Sequence, residues 1–366
     1  MIILGFQIFN LKYYNFGSFE SSVHIVQKLP GIDAIARDFN ESFYQPLLIC
    51  DTNTRHLADK MKGGAGVPVC MLESGEQHKN WQSVEKILRC ASESGIGRDG
   101  IFIGIGGGVV TDLCAFAASI YMRGCSLVLV ATTLLAMADA VIGGKTGFDL
   151  FGIKNLAGTF YPARHVYMPI ESLANLPLAE WKSGMAEIIK TAVLAGGIDD
   201  DSFIDEIIAI ADSYPESPLL SGIIGKTIEL KGRIVEEDPR ETGSSRMLLN
   251  LGHSFGHGLE AAAGLGKITH GEAVAWGIAR SCDLGVLLGI CPPLRAARIK
   301  AALSAYGYEI KAPHSLADSG SILKAIKADK KKRGGCIIFI VPGEKSAVPV
   351  APDSEETIYK IINGEY

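Results

Sequence analysis

Three of the eight histidines lie close together, as His253, His257 and His270 in LLNLGHSFGHGLE and the following HGEAVAWG. The first two are four residues apart, so on a helix they share a face. Two imidazoles plus a carboxylate form a set suited to a catalytic divalent ion such as zinc, with coordination positions left open. Such an ion acidifies a bound hydroxyl. Histidines satisfied within a core are the alternative. A carboxylate occurs earlier, in GMAEIIK, where Glu187 sits in an apolar helical turn and Lys190 follows three residues on. An ion pair explains that spacing. Burial of an uncompensated carboxylate is costly, however, and a metal would compensate it.

Three further segments suit anions. GIGGGVVTD, Gly104 to Asp112, runs from a strand through glycines into a helix, a place where backbone N–H groups face a phosphate. A tight turn explains the glycines equally well, since the spacing is not G-x-G-x-x-G. SGEQHK, Ser74 to Lys79, follows a strand and is a polar loop or a site. DAVIGGKTGFDLFGIKN carries Lys145 and Lys154 in a glycine-rich stretch, either an anion cradle or a solvated loop. The run Asp329 to Arg333 reads as a solvated charged face.

The elements that must position these residues come in two styles. Apolar runs at 47–51, 67–72, 100–105 and 126–131 alternate with helical patterns. Continuous β-rich runs of this kind indicate a parallel sheet covered on both faces, a Rossmann-like half. Beyond about residue 178, helical periodicity dominates, at 180–195, 219–237, 254–263, 273–288 and 294–306. Residues 199–218 read as a polar loop around a short helix, and 336–341 as a late strand. The fold class is therefore α/β. A Rossmann-like domain over 1–170 is followed by a mainly helical domain over 171–366, with the site expected between them.

Composition agrees with a folded enzyme. The 366 residues are 48% hydrophobic and 20% charged, with a net charge of −5, which predicts about two globular domains and no nucleic-acid partner. The longest uncharged run, 124–138, is too short to cross a membrane. The N-terminus lacks a basic region and a cleavage site, so no signal peptide is expected. The eight cysteines are scattered, with no C-x-x-C, as in a reduced, cytoplasmic protein.

In order along the chain, these motifs resemble the 3-dehydroquinate synthase family. GE-x-x-K falls at Gly75–Lys79, GGGV-x-x-D ends at Asp112, Y-x-RG spans Tyr121–Gly124 and TTLLA begins at Thr132. D-x-x-x-GGKT begins at Asp139, and AE-x-x-K, LN-x-GH-x-x-GH-x-x-E and HGE-x-V are intact. The resemblance implies metal ligation by Glu187, His253 and His270, with zinc or cobalt as the ion. It implies NAD+ contacts at Asp51, Glu76, Lys79, Gly107, Gly108, Asp112, Thr132, Thr133 and Lys154. Phosphate or substrate contacts are implied at Lys145, Asn155, Asn250, His257 and Lys190, and from one of Lys330 and Lys331. Lys231 and Arg246 hold the substrate carboxylate, and Asp139 lies near the reacting hydroxyls. Arg123 reaches the neighbouring site of a homodimer.

The implied reaction converts 3-deoxy-D-arabino-heptulosonate 7-phosphate into 3-dehydroquinate and phosphate, the second step of the shikimate pathway towards aromatic amino acids. It proceeds by transient oxidation at C5, phosphate elimination, re-reduction and aldol closure. The chain departs from the family at Thr111, Ala140, Ile153 and Tyr161–Pro162–Ala163, and in a stretch one residue longer before Arg246. Rival readings are a cyclase acting on a sugar phosphate without a carboxylate, a metal-dependent polyol dehydrogenase, and an inactive homologue. Retention of Lys231, Arg246 and Asn250 argues against the first. The number of phosphate-binding cations argues against the second, and the intact ligand set against the third.

Overall fold

The computed structural model describes residues 8–16, 20–39, 44–213, 216–264, 266–330 and 337–366. The chain divides into two compact units, Met1–Leu176 and Pro177–Tyr366.

Among the described residues nine strands belong to the first unit: β1 (Ile8–Asn15), β2 (Glu20–Val26), β3 (Tyr44–Asp51), β4 (Val69–Leu72), β5 (Gly100–Gly106), β6 (Ser126–Ala131), β7 (Phe148–Leu150), β8 (Ile153–Ala157) and β9 (His165–Pro169). Seven form one sheet in the order β1-β2-β9-β6-β5-β3-β4, and β7 and β8 form a separate hairpin. Every neighbouring pair in the large sheet is parallel except β1–β2. The central strands are buried on both faces, which is why β5 reads GIFIGIG and not as an alternating pattern. Helices α1 (Ile32–Asp38), α2 (Arg55–Lys62), α3 (Trp81–Glu93) and α4 (Gly108–Ile120) complete this Rossmann-like unit. The antiparallel β1 edge was not part of the expected all-parallel sheet.

The second unit is mainly helical. It contains α5 (Leu178–Ala195), α6 (Ser202–Ala209), α7 (Leu220–Glu237), α8 (His253–Ala263), α9 (His270–Leu287), α10 (Pro293–Ala305), α11 (Ser319–Lys330) and α12 (Glu355–Asn363). A small hairpin, β10 (Phe339–Pro342) with β11 (Ala347–Val350), accompanies them. The strand expected at 336–341 is thus β10, and Cys336 lies outside the described residues. Arg295 pins the hairpin to the helices: its guanidinium reaches Asp201 at 3.2 Å and donates to Gly343 O, Ser346 O and Val193 O. The described cysteines are all free thiols. Among the described residues no helix is long and apolar enough to cross a membrane.

Two buried histidines of the first unit make stability depend on pH. His24 Nε2 lies 3.2 Å from His165 Nδ1. Burial lowers both, His165 to about 4, with the His24 ring adding to the effect and Asp38 opposing it. The folded state therefore binds fewer protons than the unfolded chain below the ordinary histidine value. Stability is complete above about pH 6.5 and falls as pH drops from there towards 4, by up to about 1.4 kcal/mol per pH unit per group. In chelator-containing buffer the urea midpoint should fall between pH 7.5 and 5.5, and His165→Gln should flatten that slope. An unchanged slope in the variant would remove His165 as a cause.

Candidate active site

The helix α5 is buried over almost its whole circumference, Trp181 to Leu194. A helix of that kind belongs in a core, and any charge on it needs a partner there. Glu187 is fully buried, and Lys190 Nζ pairs with its Oε2. The other carboxylate oxygen, Oε1, faces two imidazoles: His270 Nε2 at 3.4 Å and His253 Nε2 at 3.7 Å.

Local structure explains how both rings arrive there. His270 opens α9 behind Thr269, whose side chain and Glu272 form a reciprocal capping box that fixes the helix start. The next residue is Gly271, where a Cβ would fall 2.3 Å from Ser183 Cα on α5. Only glycine lets the start of α9 press this closely on α5, and that approach brings His270 to Glu187. His253 opens α8, with its Nδ1 3.2 Å from Leu251 O. His270 Nδ1 lies 3.5 Å from Glu260 Oε2. Each outer ring nitrogen is thus engaged and each Nε2 is left facing Glu187, the arrangement that orients histidine ligands.

Electrostatics separates the two rings. Burial, with Lys190 next, pushes His253 down to about 3. Burial also opposes charge on His270, but Glu187 and Glu260 outweigh it and raise it to about 10. One ligand atom each from Glu187, His253 and His270 lie within 4.8 Å of one another. Imidazole nitrogens and a carboxylate oxygen at that spacing fit a divalent ion of the zinc class. His257, Glu260 and His270 form a second such group. His257 is exposed, with its ring 5.2 Å from that of His253. Glu260 is the neighbour that sequence reading passed over. Its signal was present, seven residues after His253 and so on the same helix face.

The remaining candidates of this unit sit nearby in sequence and fold. Lys231 is buried on α7. Arg246 is buried at the start of a 3-10 turn, Arg246–Asn250, that packs against α5 and α7. Its Nη1 donates to Pro239 O. Asn250 Nδ2 lies 3.5 Å from Glu241 Oε1. Of the lysine pair, Lys331 lies outside the described residues, as does the Lys330 side chain.

In the first unit β5 runs into Gly107 and then α4. A Cβ on Gly107 would stand 3.0 Å from Thr133 Cγ2, so glycine lets this turn pack closely on Thr133 as the chain enters the N-terminus of a 13-residue helix. That is the geometry a dinucleotide phosphate needs. Thr111 Oγ1 donates back to Gly108 O at 3.0 Å. Asp51, at the end of β3, accepts from Thr54 N at 2.9 Å. Thr132 N donates to Gly106 O, and Thr133 Oγ1 accepts from Ala136 N.

Lys79 is the charged centre of this group. It is buried, and its Nζ stands 2.6 Å from Asp112 Oδ2 and 2.6 Å from Asn155 Oδ1. Burial opposes its charge, but Asp112, Glu76 and Asp149 prevail and raise its pKa above the ordinary lysine value. Asn155 N in turn donates to Asp149 Oδ1 at 2.8 Å, which ties the β7–β8 hairpin to Lys79. The structure therefore joins Asn155, expected at the substrate phosphate, to two residues expected at NAD+. Glu76, Lys145 and Lys154 are exposed, and Asp139 is half-buried in a π-helical turn, Ala136–Ala140. Arg123 is exposed, in a left-handed stretch with Met122 (φ +71 and +48). The Tyr161 hydroxyl donates to Cys125 O at 2.7 Å.

A Rossmann-like unit with a glycine cradle, followed by a helical unit with a His–His–Glu cluster, defines a class of α/β enzymes equipped for a dinucleotide and a divalent ion. Residues 69–183 match the family described as 3-dehydroquinate synthase N-terminal, and residues 184–332 match 3-dehydroquinate synthase C-terminal. The chain belongs to the 3-dehydroquinate synthase family. It is 40% identical over 301 residues to the 3-dehydroquinate synthase of Methylacidiphilum infernorum, covering 82% of this chain and 81% of that protein. In fold it is similar to 2-epi-5-epi-valiolone synthase of Streptomyces hygroscopicus, solved with NAD+ and Zn2+ (TM-score 0.81, 24% identity, 94% and 96% of the two chains). It is equally similar to a 2-deoxy-scyllo-inosose synthase solved with carbaglucose-6-phosphate, NAD+ and Co2+ (TM-score 0.81, 24% identity, 97% and 99%).

Proposed function

We propose that the chain converts 3-deoxy-D-arabino-heptulosonate 7-phosphate into 3-dehydroquinate and phosphate, as a cytoplasmic homodimer whose first unit takes NAD+ and whose second takes the metal. The observation that carries this reading is Glu187 Oε1, which faces two imidazole Nε2 atoms while Oε2 is held by Lys190. Family membership supplies the substrate.

Glu187, His253 and His270 hold the divalent ion, which supplies Lewis acidity at the substrate hydroxyls. Gly107 and Gly108 with the α4 N-terminus cradle the dinucleotide, alongside Asp51, Glu76, Lys79, Asp112, Thr132, Thr133 and Lys154. Bound NAD+ supplies temporary hydride acceptance and its return, so the net reaction is not redox. Lys231, Arg246 and Asn250 fix the substrate carboxylate. Lys145, Asn155, His257 and the partner's Arg123 receive the phosphate, and cations placed there favour its departure. Asp139 and Lys190 orient the reacting hydroxyls. Positioning and charge are the protein's share of the catalysis.

Phosphate release should occur with the heptulosonate phosphate and be at least about 100-fold slower with sedoheptulose 7-phosphate, which leaves the carboxylate-binding cations unpaired. Equal or faster release from sedoheptulose 7-phosphate would mean a cyclase of another specificity.

A further inference from the structure

A second cluster of ligand-type side chains lies in the first unit. His24 is on β2, His165 on β9 and Asp38 at the last position of α1. One ligand atom from each lies within 4.8 Å of the others, and among the described residues this is the only such group outside the helical unit. None of the three has a role in the reaction proposed above. The sheet itself creates the cluster: β2 and β9 are parallel neighbours, with Ser22 opposite His165 and His24 opposite Tyr167. The two imidazoles therefore sit two positions apart along adjacent strands.

The spacing is informative. His24 Nε2 and His165 Nδ1 are 3.2 Å apart. Two nitrogens at about 2.05 Å from a tetrahedral zinc ion stand about 3.3 Å apart. Both rings are buried, while the carboxylate is exposed and gives an approach from solvent. The Tyr167 hydroxyl donates to Asp38 Oδ2, and its ring stacks on His24 at 4.5 Å. Tyr167 thus supports the carboxylate through one of its oxygens, as groups around metal-binding carboxylates do. Phe39 packs against His165 at 4.9 Å and closes the far side.

We propose that His24, Asp38 and His165 form a second divalent-metal site of the zinc class, with a water in the fourth position, clamping the end of α1 to β2 and β9. The site belongs to the first unit and shares no residue with the Glu187 cluster.

Cobalt is the probe. Purified full-length protein, stripped by chelator, is titrated with Co2+ and the bound ion is counted by equilibrium dialysis, with the visible absorption band followed alongside. The expected result is two ions per chain in the wild type and one in His270→Ala, which removes a ligand of the helical unit and leaves the Glu187–Lys190 pair in place. In the His270→Ala background, Asp38→Ala should weaken the remaining ion at least about tenfold and His165→Ala should abolish its binding. Asp38 is exposed, so its replacement keeps the fold even where the buried His165→Ala does not. Asp38→Ala alone should leave phosphate release unchanged. One ion in the wild type and none in His270→Ala would overturn the proposal while upholding the helical cluster. A residual ion indifferent to both Asp38→Ala and His165→Ala would overturn it too. The reverse pattern, a single ion lost with Asp38→Ala and kept in His270→Ala, would uphold this site and remove the other.

Discussion

Replacing Glu187 by Ala lowers phosphate release from the heptulosonate phosphate by about three orders of magnitude, at saturating zinc or cobalt, and leaves NAD+ affinity within about twofold. The magnitude follows from losing Lewis-acid stabilisation worth about 4 kcal/mol at the reacting oxygens. Glu187 supplies the one carboxylate oxygen that both Nε2 atoms face. Its removal also breaks the buried ion pair with Lys190, and breaking a buried pair costs about 3–5 kcal/mol of stability. The isosteric Glu187→Gln separates the two effects, since it keeps the shape, and a thermal melt shows which variants remain folded. Isothermal titration with NAD+ checks the second half of the expectation, because the glycine cradle belongs to the other unit. Full activity in metal-free Glu187→Ala protein would remove the metal assignment.

The second large effect is expected at Lys79. Its ammonium is shared between Asp112 and Asn155, each at 2.6 Å, in a buried setting. Lys79→Met leaves the Asp112 carboxylate without its cation and removes one side-chain tie to the β7–β8 hairpin. The loss should be about 3 kcal/mol of unfolding free energy. Replacing both partners, Lys79→Met with Asp112→Leu, should recover most of that stability, because no uncompensated charge remains. NAD+ affinity should fall in both proteins, since both lack the lysine. Urea denaturation of the two variants and the wild type gives the comparison. A single variant within about 0.5 kcal/mol of the wild type would show that Asp112 finds enough water to dispense with Lys79.

The parts legible in the sequence were those whose signal is local. Strand β5 reads as an unbroken apolar run, three glycines mark its exit and an apolar helix follows. Residue chemistry showed a histidine cluster and a carboxylate on an apolar helix, but the histidines four apart are His253 and His257, and the set of Glu187, His253 and His270 came from the family resemblance. What stayed hidden depends on distant pairing. Strands β1, β2 and β9 gave no strand signal, because β2 reads ESSVHIV and β9 is a five-residue HVYMP ending in proline. Their pairing joins residues about 140 positions apart in sequence, and the contact of His24 with His165 follows from it alone. Glu260 was visible as part of a motif, but its contact with His270 depends on how α8 meets α9. The link from Lys79 to Asn155 likewise needs the β7–β8 hairpin, on whose second strand Asn155 takes a left-handed backbone (φ +51).

The proposed reaction contains an oxidation that is undone within the same turnover. It is tested most directly by following phosphate release and the absorbance of NADH together, with purified protein, the heptulosonate phosphate, NAD+ and zinc. Many equivalents of phosphate per chain and no net NADH are expected. NADH accumulating in step with turnover, without phosphate release, would contradict it and mark the protein as a dehydrogenase that happens to share the fold.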